Sequence, residues 1–255
     1  MQESARPSGL QGIWLGAVAA TGAGCGQLQP LDEAPFAAAR AGAWTVSSRL
    51  VGPHHYSTSG TFEADTPGGL QTADDDGTLR GLFTWSLGFE HYLADDWSLG
   101  LTYDRRTYDV QDLDPINDPN LGIAVSRTRS DQISLWARHL LPAWGGAESR
   151  WRPFLMGGLS YFPGIELTVT GSSPILPTPL TINTTSESFF TGLLGGGMAV
   201  DLGAGLLAEL GAIAEFSLAD FNTDLSLSIG PSDVPFDAEL DLFGVYGYLG
   251  LQYHL

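Results

Sequence analysis

Seven charged side chains stand on the polar faces of otherwise apolar segments: Arg49, Glu90, Asp104, Arg106, Arg138, Glu209 and Glu215. Three guanidinium groups and four carboxylates in such settings have one obvious chemistry. A planar guanidinium binds carboxylates through paired hydrogen bonds, and isolated charges in a confined space are costly unless paired. The set predicts an Arg–carboxylate network in an interior, with Glu166 a further candidate on a weaker alternating segment. The five histidines, His54, His55, His91, His139 and His254, offer acid–base chemistry only if a nucleophile lies beside them. His54-His55 precede Asp74-Asp75-Asp76 by some twenty residues, but no spacing matches a nucleophile with its base. The one cysteine, Cys25, excludes an intrachain disulfide and a Cys-based zinc site. No catalytic residues, metal site or cofactor are expected, and the chain reads as a non-enzyme.

The elements that carry these groups are strands. In 82–93, Phe83, Trp85, Leu87 and Phe89 alternate with Thr84, Ser86, Gly88 and Glu90. In 97–107, Trp97, Leu99, Leu101 and Tyr103 alternate with Ser98, Gly100, Thr102 and Asp104. In 206–221, Leu206, Ala208, Leu210 and Ala212 alternate with Glu209, Gly211 and Glu215. In 239–255, Phe243, Val245, Leu249, Leu251, Tyr253 and Leu255 alternate with Gly244, Tyr246, Tyr248, Gly250, Gln252 and His254. Period two is the strand signal. Weaker versions at 42–52, 127–141, 152–169 and 187–201 bring the total to about eight strands. Their length, roughly 10–17 residues, exceeds the 5–6 usual in soluble sheets.

The connections alternate too. Short ones fall at 94–96, 142–151 and 201–205, and long ones, rich in Pro, Gly, Asp, Ser and Thr, at 53–79, 110–126, 170–186 and 221–238. That is an all-β, up-and-down antiparallel meander. Long, even-numbered strands with short turns at one end and long loops at the other are the signature of a closed transmembrane β-barrel. Alternation alone also suits a soluble, lipocalin-like binding barrel with its apolar face inside.

Composition favours the membrane barrel. Charged residues make up 16% of the 255, against about 25% in ordinary soluble domains. Glycine supplies 33 residues, near double its usual share of about 7%, and glycines on the polar faces suit a narrow lumen. All 11 basic residues are Arg, against 29 acidic ones, for a net charge of −18. That balance excludes nucleic acid as a partner, since phosphate binding needs clustered cations. Tyr92, Trp97, Trp144, Trp151 and Tyr253 gather near the short turns, as an interfacial aromatic girdle would.

The last nine residues, 247–255, alternate to the chain end through Leu249, Leu251, Tyr253 and Leu255. This resembles the terminal strand of bacterial outer-membrane proteins, which is read by the barrel-assembly machinery; Leu255 stands where that family usually ends in an aromatic. The stretch 42–255 resembles the small eight-stranded outer-membrane barrels of the OmpA, OmpX and OmpW type. The resemblance implies a Gram-negative outer-membrane protein, exported through the periplasm, whose partners are outer-membrane lipid, lipopolysaccharide and the assembly machinery. Residues 1–25 form a signal-like leader with an apolar core at 12–24, a cleavage site at Ala17-Val18-Ala19 and Cys25 as a lipidation candidate. Residues 26–41 read as a flexible lead-in, and 42–255 as the barrel.

Parity and distance from each short turn place the charges at two levels of the lumen. Glu90, Arg138 and Glu209 fall near the short-turn end with Gln252 and His254; Arg49, Asp104, Arg106 and Glu215 fall at or above the middle. Trp136 also points inward. The expected function is an envelope structural or interaction role with the lumen plugged by these groups. The alternative is a narrow channel for small ions or small apolar molecules, as the OmpW type suggests by analogy. The long loops carry Asp65, Asp74–Asp76, Asp109, Asp112–Asp118 and Asp220–Asp237, which solubilise the end or bridge lipopolysaccharide phosphates through Ca²⁺ or Mg²⁺.

Overall fold

A computed structural model of the chain describes residues 35–36, 39–66, 69–111, 116–118, 121–172, 180–229 and 232–255. The leader, its cleavage site, Cys25, residues 26–34 of the lead-in and the Asp112–Asp114 stretch lie outside the described residues. Among the described residues fourteen strands follow in chain order: β1 (Trp44–Val51), β2 (His54–Thr66), β3 (Gly69–Gly81), β4 (Thr84–Tyr92), β5 (Trp97–Gln111), β6 (Ile116–Asp118), β7 (Leu121–Leu140), β8 (Trp151–Phe162), β9 (Ile165–Ser172), β10 (Leu180–Thr185), β11 (Phe189–Gly203), β12 (Leu206–Ser217), β13 (Phe221–Ile229) and β14 (Ser232–His254).

Eight of them close on one another. The antiparallel pairings run β1–β4–β5–β7–β8–β11–β12–β14 and back to β1, where Ser47 meets Gln252 and Arg49 meets Gly250. Closure leaves no edge of unpaired backbone groups in this part of the sheet, the condition a sheet must meet to cross hydrocarbon. Pairs β4–β5, β7–β8 and β11–β12 join at short turns at one end. The tightest, at Gly203-Ala204-Gly205, needs positive φ at all three residues (82°, 55° and 74°), conformations that glycine adopts freely.

The other end departs from the sequence expectation. The segments read as irregular loops are largely sheet. β2 and β3 form a hairpin that pairs with β14 on one side and β5 on the other. β9 and β10 form another beside β7, and β13 pairs with β14. The barrel wall thus continues past the eight-strand ring. Prolines and glycines mark the joints: Gly52-Pro53 separates β1 from β2, and Pro163-Gly164 separates β8 from β9. Proline lacks the N–H a ladder needs. In β2 and β3 both faces are mostly polar, so the hydrophobic alternation that reveals a strand is missing there; β9 keeps it, with Ile165, Leu167 and Val169 buried.

Around the ring the large apolar side chains point out. Trp85, Leu87 and Phe89, Leu99 and Leu101, Leu135, Leu155 and Leu159, Leu194, Leu210, Leu249 and Leu251 are all exposed. Their neighbours Ser86, Glu90, Thr102, Ser134, Ser160, Thr191, Glu209 and Gln252 are buried. Water would penalise that face by about 25 cal/mol per Å² of apolar surface, and a continuous apolar belt far exceeds what a soluble monomer tolerates. The polar-in, apolar-out arrangement rules out the lipocalin-like alternative: this is a transmembrane barrel. Trp44, Trp97, Trp144, Trp151 and Tyr253 ring the short-turn end on the outside, with Trp44 stacked on His91 at 4.4 Å and Trp97 on His139 at 4.5 Å. Tyr92 does not join this girdle. It ends β4 on the Glu90 side and is fully buried in the bore; its parity overrides its closeness to the turn.

Candidate functional site

The lumen is filled at two polar levels with a belt of rings between and above them. At the short-turn level Arg138, from β7, lies between two carboxylates and forms ion pairs with both Glu90 of β4 and Glu209 of β12. Its Nη2 also donates to the Tyr92 hydroxyl at 2.6 Å and to Gln252 Oε1 at 3.2 Å. Gln252 Nε2 donates in turn to Glu90 and Glu209, each at 2.9 Å, and Ser98 donates to Glu90. Arg49 pairs with Glu209 at 3.6 Å. The sequence placed Arg49 with the upper charges; it joins the lower ones because its partner across the ladder is Gly250, which leaves its stem room.

At the upper level Arg106, from β5, contacts Asp104 at 3.0 Å and Glu215 of β12 at 3.3 Å. It also donates to the hydroxyls of Tyr56 (2.6 Å) and Tyr246 (3.1 Å). Glu215 collects further donors: Tyr56 at 2.7 Å, Gln132 at 2.5 Å and Thr191 at 2.7 Å. Charge-assisted bonds of this sort meet the desolvation cost that lone buried carboxylates would carry. Of the seven residues picked from the sequence, all are buried. Glu166 is not among them: it is exposed on the outer face of β9.

Four ring–glycine pairs seal the space between strands. Trp136 faces Gly100, Tyr248 faces Gly211, Tyr56 faces Gly244 and His54 faces Gly81, each pair being direct cross-strand partners. A Cβ on these glycines would lie 2.2, 2.6, 2.3 and 1.8 Å from the respective ring. Each glycine therefore cedes its volume to an inward ring on the next strand. Arg49 lies over the rings of Trp136 (4.6 Å) and Tyr248 (5.0 Å), and Arg106 over Tyr246 (4.6 Å). Between the levels lies a cavity of about 20 Å³ bounded by Arg49, Thr102, Asp104, Trp136 and Tyr248, room for one water.

His54 also departs from expectation. It falls in the 53–79 connection that the sequence reads as a loop, yet it is buried, with Nδ1 3.0 Å from the Gly52 carbonyl and its ring edge-on to Tyr56 and Tyr108. Among the described residues no carboxylate forms an ion pair with it, whereas His55 is exposed. His254 lies at the lumen floor against Tyr92, ring centres 5.5 Å apart. Among the described residues no cluster of three or more His, Cys, Asp or Glu could hold a metal ion.

The chain just before β1 meets the short-turn mouth. The Phe36 N–H donates to Asp201 Oδ2 at 2.6 Å, and its ring lies under Arg152, 5.4 Å from the guanidinium carbon. Arg152 donates to the carbonyls of Leu140 and Leu141, and Ala41 N–H to Asp95 at 3.0 Å. Phe36 and Ala39 are buried there. Nothing in the local sequence signalled this contact, because it is made by single residues outside any periodic segment.

No family model matches the sequence, and no curated protein is significantly similar to it. Solved structures do match. The outer membrane protein AlkL, determined in lipid bilayers, superposes with a TM-score of 0.50 at 16% identity, over 89% of this chain and 95% of that one. OprG from Pseudomonas aeruginosa gives 0.47 at 15% identity over 85% and 97%. Neisserial surface protein A gives 0.41 at 12% over 79% and 96%. At these identities the likeness is one of fold, and it rests on the first match. The chain has the fold of the small outer-membrane β-barrels, eight transmembrane strands closed around a polar interior.

Proposed function

We propose that this chain is a Gram-negative outer-membrane protein with a structural or interaction role, its lumen closed to general diffusion. One observation carries the reading: two arginines tie the barrel across its full width. Arg138 on β7 reaches Gln252 on β14, and Arg106 on β5 reaches Glu215 on β12. In the ring of eight each of these pairs lies four strands apart, on opposite walls. The crossings occur at different heights, and the ring–glycine pairs fill the bore around them. The contact of Phe36 with Asp201 and Arg152 supports closure of the short-turn mouth as well.

In this reading the short turns and chain ends face the periplasm and the hairpins face outward. Leu249, Leu251 and Tyr253 on the outer face of β14, with Leu255 just after it, present the assembly signal. The chain carries no catalytic step. The test is solute uptake into vesicles holding the refolded protein: small sugars should be excluded as they are from protein-free vesicles. Swelling at porin-like rates would overturn the proposal.

A further inference from the structure

The outer wall beyond the lipid-facing band carries a polar cleft that the lumen does not use. On β5 and β7 the band ends at Tyr103 and Ile133, both exposed. Its rim is polar: Arg105 pairs with Asp131 at 3.5 Å, and the Tyr103 hydroxyl donates to Asp131 at 2.8 Å. One rung further from the band, Thr107, Arg129, Glu166 and Thr185 are consecutive ladder partners across β5, β7, β9 and β10. On the next rung Thr168 donates to Asn183 at 3.0 Å. These side chains line an outward cleft of about 470 Å³, within the range of small-ligand sites.

We infer that this cleft binds the phosphorylated sugar headgroup of an adjacent glycolipid in the outer leaflet. Three features point there. The first is depth. Arg129 lies four residues beyond Ile133 on β7, about 13 Å along the strand at 3.3 Å per residue, and about 10 Å along the membrane normal after tilt. That is too far out for hydrocarbon and right for a large sugar headgroup seated beside the barrel. The second is continuity: the cleft opens on the same outer face as the band, so the lipid's acyl chains would lie against exposed apolar side chains below it. The third is chemistry. Exposed Arg129 offers a fork of donors suited to phosphate, and it is in no ion pair among the described residues. The threonines, Asn183 and Glu166 offer the donors and acceptors that sugar hydroxyls require. Glu166 on the Arg129 rung admits one phosphate there and disfavours a dense anionic patch.

The inference rests on the proposed orientation, with the hairpin end outward. Its test uses the full chain refolded in detergent micelles and binding followed by native mass spectrometry. The probes are bisphosphorylated lipid A, the same lipid enzymatically dephosphorylated, and phosphatidylglycerol. The parent should bind the bisphosphorylated glycolipid and bind the other two at least about tenfold more weakly, the loss of one charge-assisted contact. Arg129→Gln should lose about tenfold for that glycolipid, and Asn183→Ala severalfold, while Arg40→Gln at the opposite end should change nothing. Arg129 is exposed, and folding of each variant is checked by its heat-modifiable gel migration. Equal binding of phosphatidylglycerol, or full binding by folded Arg129→Gln, would overturn the inference. Micelle binding does not depend on whether the lumen conducts: a folded, non-conducting protein that ignores the glycolipid refutes this site alone, and a conducting one that binds it refutes the closed lumen alone.

Discussion

Trp136 and Gly100 are ladder partners, and the indole occupies the space in which a side chain on Gly100 would begin, with its Cζ2 2.2 Å from that point. The indole is held from the other side by Arg49, so it has nowhere to retreat. Gly100→Ala should destabilise the barrel by about 1–3 kcal/mol, the usual penalty of overpacking. Equilibrium urea unfolding from vesicles, followed by tryptophan emission, measures it. Adding Trp136→Leu to Gly100→Ala should recover most of the loss; an unchanged double variant would show that the ring does not fill this space.

Arg138 lies between Glu90 and Glu209, and with Arg49 beside Glu209 it balances their two charges. Removing it leaves two buried carboxylates facing one another. Arg138→Met should lower stability by about 3–5 kcal/mol, the cost of orphaning a buried charge. Glu90→Gln and Glu209→Gln in the same background should restore much of it. If Arg138→Met alone unfolds like the parent, the network carries no structural weight.

The faces of β12 give a sharper contrast. Leu210 is exposed on the lipid side and Glu209, one residue earlier, is buried in the lumen. An Arg on the lipid face costs up to about 2–4 kcal/mol near the midplane. Leu210→Arg should therefore lose the heat-modifiable gel shift after refolding into vesicles, and Glu209→Gln, which changes the lumen face and keeps an acceptor for Arg138, should lose less of it. The reverse order would mean that the faces are inverted.

His54 lies beyond the Arg105–Asp131 rim, since its partner Gly81 also pairs with Tyr108. Burial, and then the nearby Arg106 charge, lower its pKa from 6.5 to about 4. A base whose pKa falls on folding contributes fully above its unfolded value, and the contribution declines as pH drops from 6.5 towards 4. His54→Gln should flatten the stability profile across that window relative to the parent, as read by urea midpoints at pH 7 and pH 4.5. Parallel profiles for the two proteins would refute the assignment.

Parity alone made much of the lumen legible. The alternation of β4, β5, β12 and β14 puts Glu90, Asp104, Glu209 and Gln252 opposite large apolar residues, and only one face of such a strand can meet lipid. The ring–glycine pairs were half legible: Gly100, Gly211 and Gly244 sit visibly on polar faces, but which ring fills each gap depends on cross-strand register, which one strand's sequence does not contain. The hairpins were not legible. In β2 both His54, Tyr56, Thr58 and His55, Ser57, Ser59 are mostly polar, so the two-residue period carries no hydrophobic contrast. Phe36 and its hold on Asp201 depend on a residue outside any strand and a partner 165 positions away.

The most direct test of the crossed lumen is single-channel current through the refolded protein in planar bilayers. With Arg138 and Arg106 spanning the bore at two heights, the parent should give no steady openings, or only small, brief ones. Arg106→Ala paired with Arg138→Ala should raise the current or abolish folding. A large, steady, porin-sized conductance from the unmodified chain would contradict the account.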